Sequence, residues 1–248
     1  MVSAVVTGAG LNSRMRSDLR SLDLPIKNKL TLPLTKVNNT QKTILELTLD
    51  NVLNSGVGEC ILVLGHYKDE IINSLSEEYL SKIKIVENKP HDVGLSTSLY
   101  NGLSHLKGKF ALCVSGDQPT ISSTTYKNMI NVFFNWEDCE KSISFLRRRE
   151  CGPLDNAIGL GMPFVASKNL LIPYLENTDS NLNPILREIF DRQIKFYGVK
   201  EQFDLELVNI NHYTDYQFVK ENLDIKNYYY YYQVYFSNFI NFQNSIKH

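Results

Sequence analysis

The stretch that decides the fold is "VVTGAGLNSRMR", residues 5–16. Its β-branched residues predict a short buried strand, and the four residues Thr7-Gly8-Ala9-Gly10 follow where that strand should end. Glycines let backbone N–H groups approach an anion closely, and the N-terminus of a following helix adds a favourable dipole. Arg14 and Arg16 then add positive charge. The stretch therefore predicts a strand, an anion-binding loop and a helix.

Strand and helix patterns alternate through the first half of the chain. Apolar runs predict strands at 3–7, 59–65, 82–87 and 110–115, and helical patterns cover 43–54, 68–80, 96–106 and 122–134. Short connections between them predict right-handed βαβ units. We therefore expect an α/β, Rossmann-like, three-layer fold with a mostly parallel sheet and helices on both faces. After about residue 140, strands are predicted at 141–147, 159–167, 193–199 and 204–210, with helices near 184–191 and 214–222.

The composition narrows the function class. The chain has 248 residues, of which 43% are hydrophobic, enough for one large domain or one domain with a small appendage. Because 26 Lys and Arg residues balance 27 Asp and Glu residues, no overall basic field favours nucleic acid or a membrane surface as a partner. No apolar run is long enough to span a membrane. The 4 cysteines form no CxxC pair, which is typical of reduced thiols and predicts a cytoplasmic protein.

The composition changes near the C-terminus. We expect a main domain over residues 1–222 and a tail over 223–248 that is rich in Tyr, Phe and Asn. Aromatic residues in such a segment more often pack than bind a ligand. The tail is therefore predicted to pack on the domain or on a second subunit of a homo-oligomer.

Two common phosphate-binding motifs do not fit the first loop. A P-loop requires Gly-Lys after the first glycines, and neither Gly8 nor Gly10 is followed by that pair. A dinucleotide fingerprint requires a small third residue, which is Ser13 here, and an acidic residue after the second strand. That place is taken by Gly65 and His66. NAD is therefore not the expected ligand.

A mononucleotide loop fits better. It requires an arginine soon after the glycines and a lysine further on, and Arg14 satisfies the first condition. The segment "KNKLTLPL", residues 27–34, supplies Lys29, with Lys27 as a substitute. The expected anion is the triphosphate of a nucleotide.

Three further motifs follow the same order as in a known family. "KNKLTLPL", "NKPHDVGLSTSLYNGL" at 88–103 and "SGDQP" at 115–119 follow the first loop at suitable spacing. Together they resemble the molybdenum cofactor nucleotidyltransferase-like family, and its cytidylyltransferase branch in particular, over about residues 3–130. The resemblance implies a nucleotidyltransferase fold. It also implies Mg²⁺-dependent transfer of CMP from CTP to the phosphate of molybdopterin, with release of pyrophosphate.

The chemistry of that reaction assigns roles to particular residues. Phosphoryl-type transfers depend on positioning and on neutralising charge, so the triphosphate needs backbone donors and cations. The donors are expected at Thr7, Gly8, Ala9 and Gly10, and the catalytic cations are Arg14 and Lys29. Asp117 follows a predicted central strand and is expected to be the catalytic carboxylate that holds the metal, as the resemblance also implies.

The resemblance places further residues around the nucleotide. Those residues are Asn88, Gly94, Ser96, Thr97 and Ser98. The three hydroxyl residues stand at the start of a predicted helix, where they could equally act as caps.

The chain departs from the family pattern at Arg16 and at several places in its second half. Arg16 stands where relatives usually have glycine, and "TDSNLN" at 178–183 lacks the usual arginine. Asn209 and Asn211 replace two aspartates, and an amide oxygen holds magnesium less firmly than a carboxylate. The basic run at 147–150 could bind an anionic acceptor or could be solvated. Two alternatives therefore stay open: another acceptor (a sugar phosphate, phospho-alcohol or phospholactate) or a nucleotide-binding protein without turnover.

Overall fold

The computed structural model of the chain describes residues 1–37, 40–136, 138–147 and 150–223. Arg148 and Arg149 of the basic run lie outside these residues, as does the predicted tail from residue 224 onward. The division of the chain at residue 222 therefore stays a prediction.

A single eight-stranded sheet forms the centre of the fold. The strands of the described residues are β1 Val2–Thr7, β2 Pro33–Val37, β3 Thr40–Thr43, β4 Cys60–Leu64, β5 Lys84–Glu87, β6 Phe110–Ser115, β7 Ser142–Leu146, β8 Gly152–Pro153, β9 Phe164–Ser167 and β10 Lys195–Val199. The sheet order is β5-β4-β1-β6-β9-β7-β10-β8, while β2 and β3 form a separate hairpin. β5, β4, β1 and β6 pair in parallel, as do β7 and β10. Among the described strands of this sheet, only β9 (with β6 and β7) and β8 (with β10) pair antiparallel to their neighbours. The expectation of a mostly parallel sheet is confirmed.

Helices cover both faces of the sheet. They are α1 Ser13–Ser21, α2 Ile44–Leu53, α3 Lys68–Ser74, α4 Glu77–Lys82, α5 Leu95–Ser104, α6 Ser123–Asn135, α7 Lys168–Leu175, α8 Leu182–Asp191 and α9 over 213–223. Within β1, Val6 packs in one apolar core with α1, α2, α6 and α9, whereas Val5 packs in a second core with α5, α7 and α8. Successive side chains of a strand point to opposite faces, so a strand buried on both faces reads as a continuous apolar run. The expected three-layer α/β fold is confirmed. No helix of the described segments has the length and apolar character needed to cross a membrane.

Three secondary-structure predictions were wrong in whole or in part. The strand expected over 159–167 begins only at Phe164. The helix expected over 68–80 is two helices, because Leu75 turns to extended backbone and buries its side chain, and α4 begins only at Glu77. The strand expected over 204–210 contains instead a 3-10 helix at Asp204–Leu207. Glu206 is fully buried there, and its carboxylate accepts hydrogen bonds from Ser122 and Thr125 of the α6 N-terminus. A buried carboxylate needs such partners, and they come from a distant part of the chain.

The cysteines are free thiols, as expected. Cys60 and Cys113 are buried in β4 and β6, and burial raises the pKa of the Cys60 thiol to about 12. Both thiols are therefore inert at neutral pH, and they act as small apolar side chains of the core.

Candidate active site

A cavity of about 390 Å³ opens at the carboxyl ends of β1 and β6. Thr7 and Ser115 end these two parallel strands in register, and the Gly116 N–H donates to the Thr7 carbonyl at 2.9 Å. The two loops that follow therefore meet at one edge of the sheet. In open α/β sheets this edge is where ligands bind.

The first loop forms one wall of the cavity. Thr7 and Gly8 line the cavity, and the Gly8 N–H donates to the Val63 carbonyl at 2.8 Å. The contact of these two residues with a nucleotide stays a prediction. Ala9, Gly10 and Leu11 line the cavity, and within the described part of the chain their N–H groups have no hydrogen-bond partner. A Cβ at Gly10 would meet nothing within 4 Å, so this backbone is open to close approach. The N–H groups of the first turn of α1 continue the row of donors, because a helix leaves them unpaired.

Asn12 joins this loop to the segment that carries the lysine. Its backbone is left-handed, with φ of 59°, a conformation that Asn tolerates better than most residues. Its side-chain Nδ2 donates to the Lys27 carbonyl at 3.0 Å. The next residue, Asn28, is buried; its Oδ1 accepts from the Leu30 N–H at 2.9 Å, and its own N–H donates to Glu70 at 2.8 Å. These bonds fix the short 3-10 turn on which Lys29 lies.

Lys29 and Asp117 form an ion pair inside the cavity. Nζ of Lys29 lies 2.5 Å from Oδ2 of Asp117 and also donates to the Ile210 carbonyl at 2.7 Å. The two side chains are only 16% and 14% exposed. Lys27 is exposed and does not line the cavity. Of the two lysines that the sequence offered, the structure therefore brings Lys29 to the carboxylate.

Arg14 also lines the cavity. Its guanidinium donates to Oδ1 of Asn211 at 2.9 Å, which joins α1 to the segment before α9. Asn211 lines the cavity, whereas the Asn209 side chain accepts from Gln118 at 3.0 Å and is absent from the lining. Only one of the two asparagines that replace the family's aspartates therefore faces the site.

The residues expected around the base divide into two groups. Ser98 lines the cavity together with Val93 and Leu95. Asn88 is fully buried and donates to the Ser98 hydroxyl at 2.9 Å, so it orients the Ser98 side chain. The described structure does not place Asn88 in the lining, and its contact with a nucleotide stays a prediction.

Gly94, Ser96 and Thr97 hold the loop at 178–181 against the start of α5. The Ser96 hydroxyl donates to the Thr178 carbonyl at 2.8 Å, and the Thr97 hydroxyl donates to the Asp179 carboxylate at 3.0 Å. The Gly94 N–H donates to the same carboxylate. These three residues do not line the cavity, and their role in nucleotide binding also stays a prediction.

Not every residue of the cavity wall was identified from the sequence. Asn181 and Met162 both line it, and Asn181 is the residue before α8. An Asn immediately before a helix reads as a cap in the sequence. Here its side chain makes no capping bond, so its position at the site was visible only in the fold.

Residues 4–193 match the family described as the MobA-like NTP transferase domain. The chain belongs to this family. It is therefore a nucleotidyltransferase, and the fold and the sequence motifs agree with that assignment. The narrower resemblance to molybdenum cofactor cytidylyltransferases goes beyond what the match shows.

Known proteins resemble this nucleotidyltransferase in fold or in sequence. A nucleotidyl transferase from Methanothermobacter thermautotrophicus is 40% identical, with a TM-score of 0.80 over 90% of this chain and 97% of that one. The 4-diphosphocytidyl-2C-methyl-D-erythritol synthase from Anaerococcus prevotii is 20% identical, with a TM-score of 0.63 over 90% and 96%, which shows a shared fold alone. The bifunctional protein GlmU of Staphylococcus saprophyticus is 25% identical over 202 residues, which are 78% of this chain. The chain spans 39% of the length of that relative.

The nucleotidyltransferase offers few protein ligands for a metal. Asp117 and Asn211 both line the cavity, and the Asn211 amide oxygen accepts from the Arg14 guanidinium. Across the described segments, no group of three or more His, Cys, Asp or Glu residues could form a metal cage. Mg²⁺ commonly uses one or two carboxylates together with substrate phosphates. The donor set therefore fits a magnesium ion that is held jointly with a nucleotide.

Glu87, at the end of β5, bonds both Lys68 and His91. Glu87 lies 2.8 Å from Lys68 and 2.9 Å from His91. The hydrogen bond from Lys68, followed by that from His91, lowers the pKa of the Glu87 carboxyl to about 2. The carboxylate thus stays ionised at neutral pH. The backbone of His91 also lies close to Gly65, because a Cβ added at Gly65 would be 2.9 Å from the His91 carbonyl.

Proposed function

We propose that this nucleotidyltransferase transfers CMP from CTP to the phosphate of a molybdopterin-type acceptor, with Mg²⁺ as the metal and pyrophosphate as the second product. The observation that carries the proposal is the set of charges around one cavity. Lys29 and Asp117 meet there at 2.5 Å, and Arg14 lines the same cavity as the open backbone of Ala9 and Gly10. This is the set that a triphosphate and a divalent ion require.

The reaction makes one bond and breaks one. An oxygen of the acceptor phosphate attacks the α-phosphorus of the nucleotide and forms a new P–O bond. The bond between the α-phosphorus and the bridging oxygen breaks, and its electron pair leaves with pyrophosphate. The negative charge that develops on the leaving group is the part of the reaction that a protein can stabilise best.

The residues divide this work by position. The N–H groups from Ala9 to the first turn of α1 would bind the terminal phosphates, and Arg14 at the start of that helix would neutralise them. Lys29 would neutralise charge near the α-phosphorus, because it is held beside Asp117. Asp117 would hold the magnesium ion, and Asn211 would add its amide oxygen when the Arg14 guanidinium, which it binds here, turns to the phosphates. The ion would withdraw charge from the phosphate oxygens when bound.

Two motifs support CTP and the molybdopterin-type acceptor. "GLSTSL" at 94–99 and "GDQP" at 116–119 match the cytidylyltransferase branch. The first motif contributes Ser98 to the cavity lining, and the second contributes Asp117. The structural relative from Anaerococcus prevotii carries a diphosphocytidyl group in its name, which accords with a cytidine nucleotide on this fold.

A different phosphorylated acceptor is the second candidate. It is favoured by the weak match of the second half of the chain to the family pattern, where the segment 178–183 lacks the usual arginine and Asn181 lines the cavity. The candidate acceptors are a sugar phosphate, a phospho-alcohol and phospholactate. They keep the same nucleotide chemistry, so they differ from the first proposal only in the second substrate.

The test is pyrophosphate release from a matrix of nucleotides and acceptors with Mg²⁺. We expect release with CTP and molybdopterin, and slower release with GTP, ATP and UTP. Release with CTP and another phosphorylated acceptor would replace the acceptor and keep the enzyme class. Binding of CTP without release from any acceptor would instead support a nucleotide-binding protein without turnover.

Replacing Asn211 with aspartate is expected to lower the Mg²⁺ concentration needed for half-maximal activity several-fold. A carboxylate beside Asp117 would attract the ion more strongly than an amide does. The matched control is Asn209→Asp, because Asn209 lies outside the cavity and bonds Gln118. Magnesium titrations of the two variants and the parent protein make the comparison. Equal magnesium requirements in all three proteins would contradict a role for Asn211 in holding the metal.

A further inference from the structure

A second cavity, of about 410 Å³, lies beside the first and has no part in the proposed reaction. Leu11 and Ser13 line both cavities, so they form a shared wall. The other residues that line the second cavity are Arg16, Ser17, Arg20, His66, Tyr67 and Asp92. Its volume lies within the usual range for small-molecule sites.

One face of α1 supplies most of the polar lining. We call this face the α1 strip; it consists of Ser13, Arg16, Ser17 and Arg20. Their spacing of three, four and seven residues places them side by side on a helix. Met15 and Leu19 of the same helix are buried in the core, which turns the strip outward to the cavity.

Arg16 is held in place across the cavity. Its guanidinium donates to the Tyr67 hydroxyl, and its Cζ lies 5.4 Å from the centre of the Tyr67 ring. This hydrogen bond and the cation–π contact restrain the arginine and leave other N–H groups of its planar fork for a ligand. Arg16 also stands where the family pattern has glycine, so this feature belongs to the present chain.

The charges of the second cavity are not balanced. Among the ion pairs of the described residues, none involves Arg16 or Arg20. Asp92 is the carboxylate on the rim, and it likewise forms no ion pair within the described ranges. Two guanidinium groups against one carboxylate leave a net positive cavity, with the hydroxyl groups of Ser13 and Ser17 beside them.

We propose that the second cavity binds a small phosphate-bearing anion. Guanidinium groups donate paired, charge-assisted hydrogen bonds that match the geometry of phosphate oxygens. The phosphate could belong to pyrophosphate released across the shared wall, or to an organic phosphate that arrives from solution. The site is distinct from the triphosphate cavity, and it does not depend on which acceptor the enzyme uses.

The test is calorimetric titration of the full chain in an Arg14→Gln/Lys29→Gln background, which removes two cations of the first cavity. Pyrophosphate and glycerol 3-phosphate are titrated separately. We expect one remaining site for at least one of them. Adding Arg16→Gln and Arg20→Gln should weaken that binding at least about tenfold, since two charge-assisted contacts are lost. The control Arg187→Gln changes an exposed arginine of α8 and should leave the affinity unchanged.

Asp92→Asn provides a test of opposite sign. Removing the one rim carboxylate should tighten anion binding several-fold, a result that a purely structural role of the strip would not produce. Arg20 is exposed, so Arg20→Gln alone serves if the double change disturbs folding, which thermal unfolding would reveal.

The outcomes distinguish the two sources of the phosphate and also test the proposal itself. Binding of pyrophosphate alone identifies the released product as the ligand, whereas binding of glycerol 3-phosphate identifies organic phosphates. The proposal is overturned if neither probe binds in the background variant, or if the arginine and Asp92 changes leave the affinity unaltered. Because no turnover is measured, these results do not depend on whether the proposed transfer reaction is correct.

Discussion

Replacing Asp117 with asparagine is expected to reduce kcat/KM for pyrophosphate release by at least about a thousandfold. Asparagine keeps the shape of the side chain but removes its negative charge. That charge is what Lys29 pairs with at 2.5 Å, and it is the carboxylate ligand that the cavity offers to magnesium. The measurement is steady-state pyrophosphate release at saturating Mg²⁺, with CTP and the best acceptor from the matrix.

A matched control separates chemistry from folding. Asp50 also lies beside a lysine, 3.5 Å from Lys42, but it belongs to α2 and does not line the cavity. Asp50→Asn should therefore keep its activity within about twofold, as substitutions away from a site usually do. Asp117→Asn should unfold near the parent temperature. Activity of Asp117→Asn within tenfold of the parent enzyme would remove Asp117 from the metal site.

Replacing Lys29 with glutamine is expected to reduce kcat/KM by about 10²- to 10³-fold. Removing one preorganised donor of charge stabilisation has effects of this size in other enzymes. Lys29 is positioned for the role by its bonds to Asp117 and to the Ile210 carbonyl, and by the turn that Asn28 caps. Because a lysine also binds the triphosphate before reaction, the KM for the nucleotide should rise as well.

Lys27→Gln is the control that the chain itself offers. The sequence presents both lysines as candidates two positions apart, but Lys27 is exposed and outside the cavity. Its replacement should leave kcat and KM almost unchanged. A larger loss from Lys27→Gln than from Lys29→Gln would show that the segment rearranges when nucleotide binds.

Local pattern was sufficient to predict the layered fold. Val5 and Val6 belong to different cores, and the residues of β4 alternate between those cores in the same way. Such strands are apolar at every position, and the helices between them have one apolar face. Both patterns depend on neighbours along the chain, so the sequence shows them directly.

The errors arose where distant contacts decided the backbone. Glu206 is buried because Thr125, 81 residues away, donates to its carboxylate at 2.7 Å, and the chain forms a 3-10 turn to reach that partner. The break before Ser76 similarly follows from the burial of Leu75 in the core. Neither contact leaves a periodic signal in the sequence.

The sequence by itself determined the parallel βαβ frame, the glycine loop after the first strand, and the charged residues that could serve it. Only the tertiary structure decided which of them meet. Lys29 reaches Asp117 across 88 residues, and Arg14 reaches Asn211 across 197. Loop side chains have no fixed period, so their directions are set by contacts between segments that come together only when the sheet has formed.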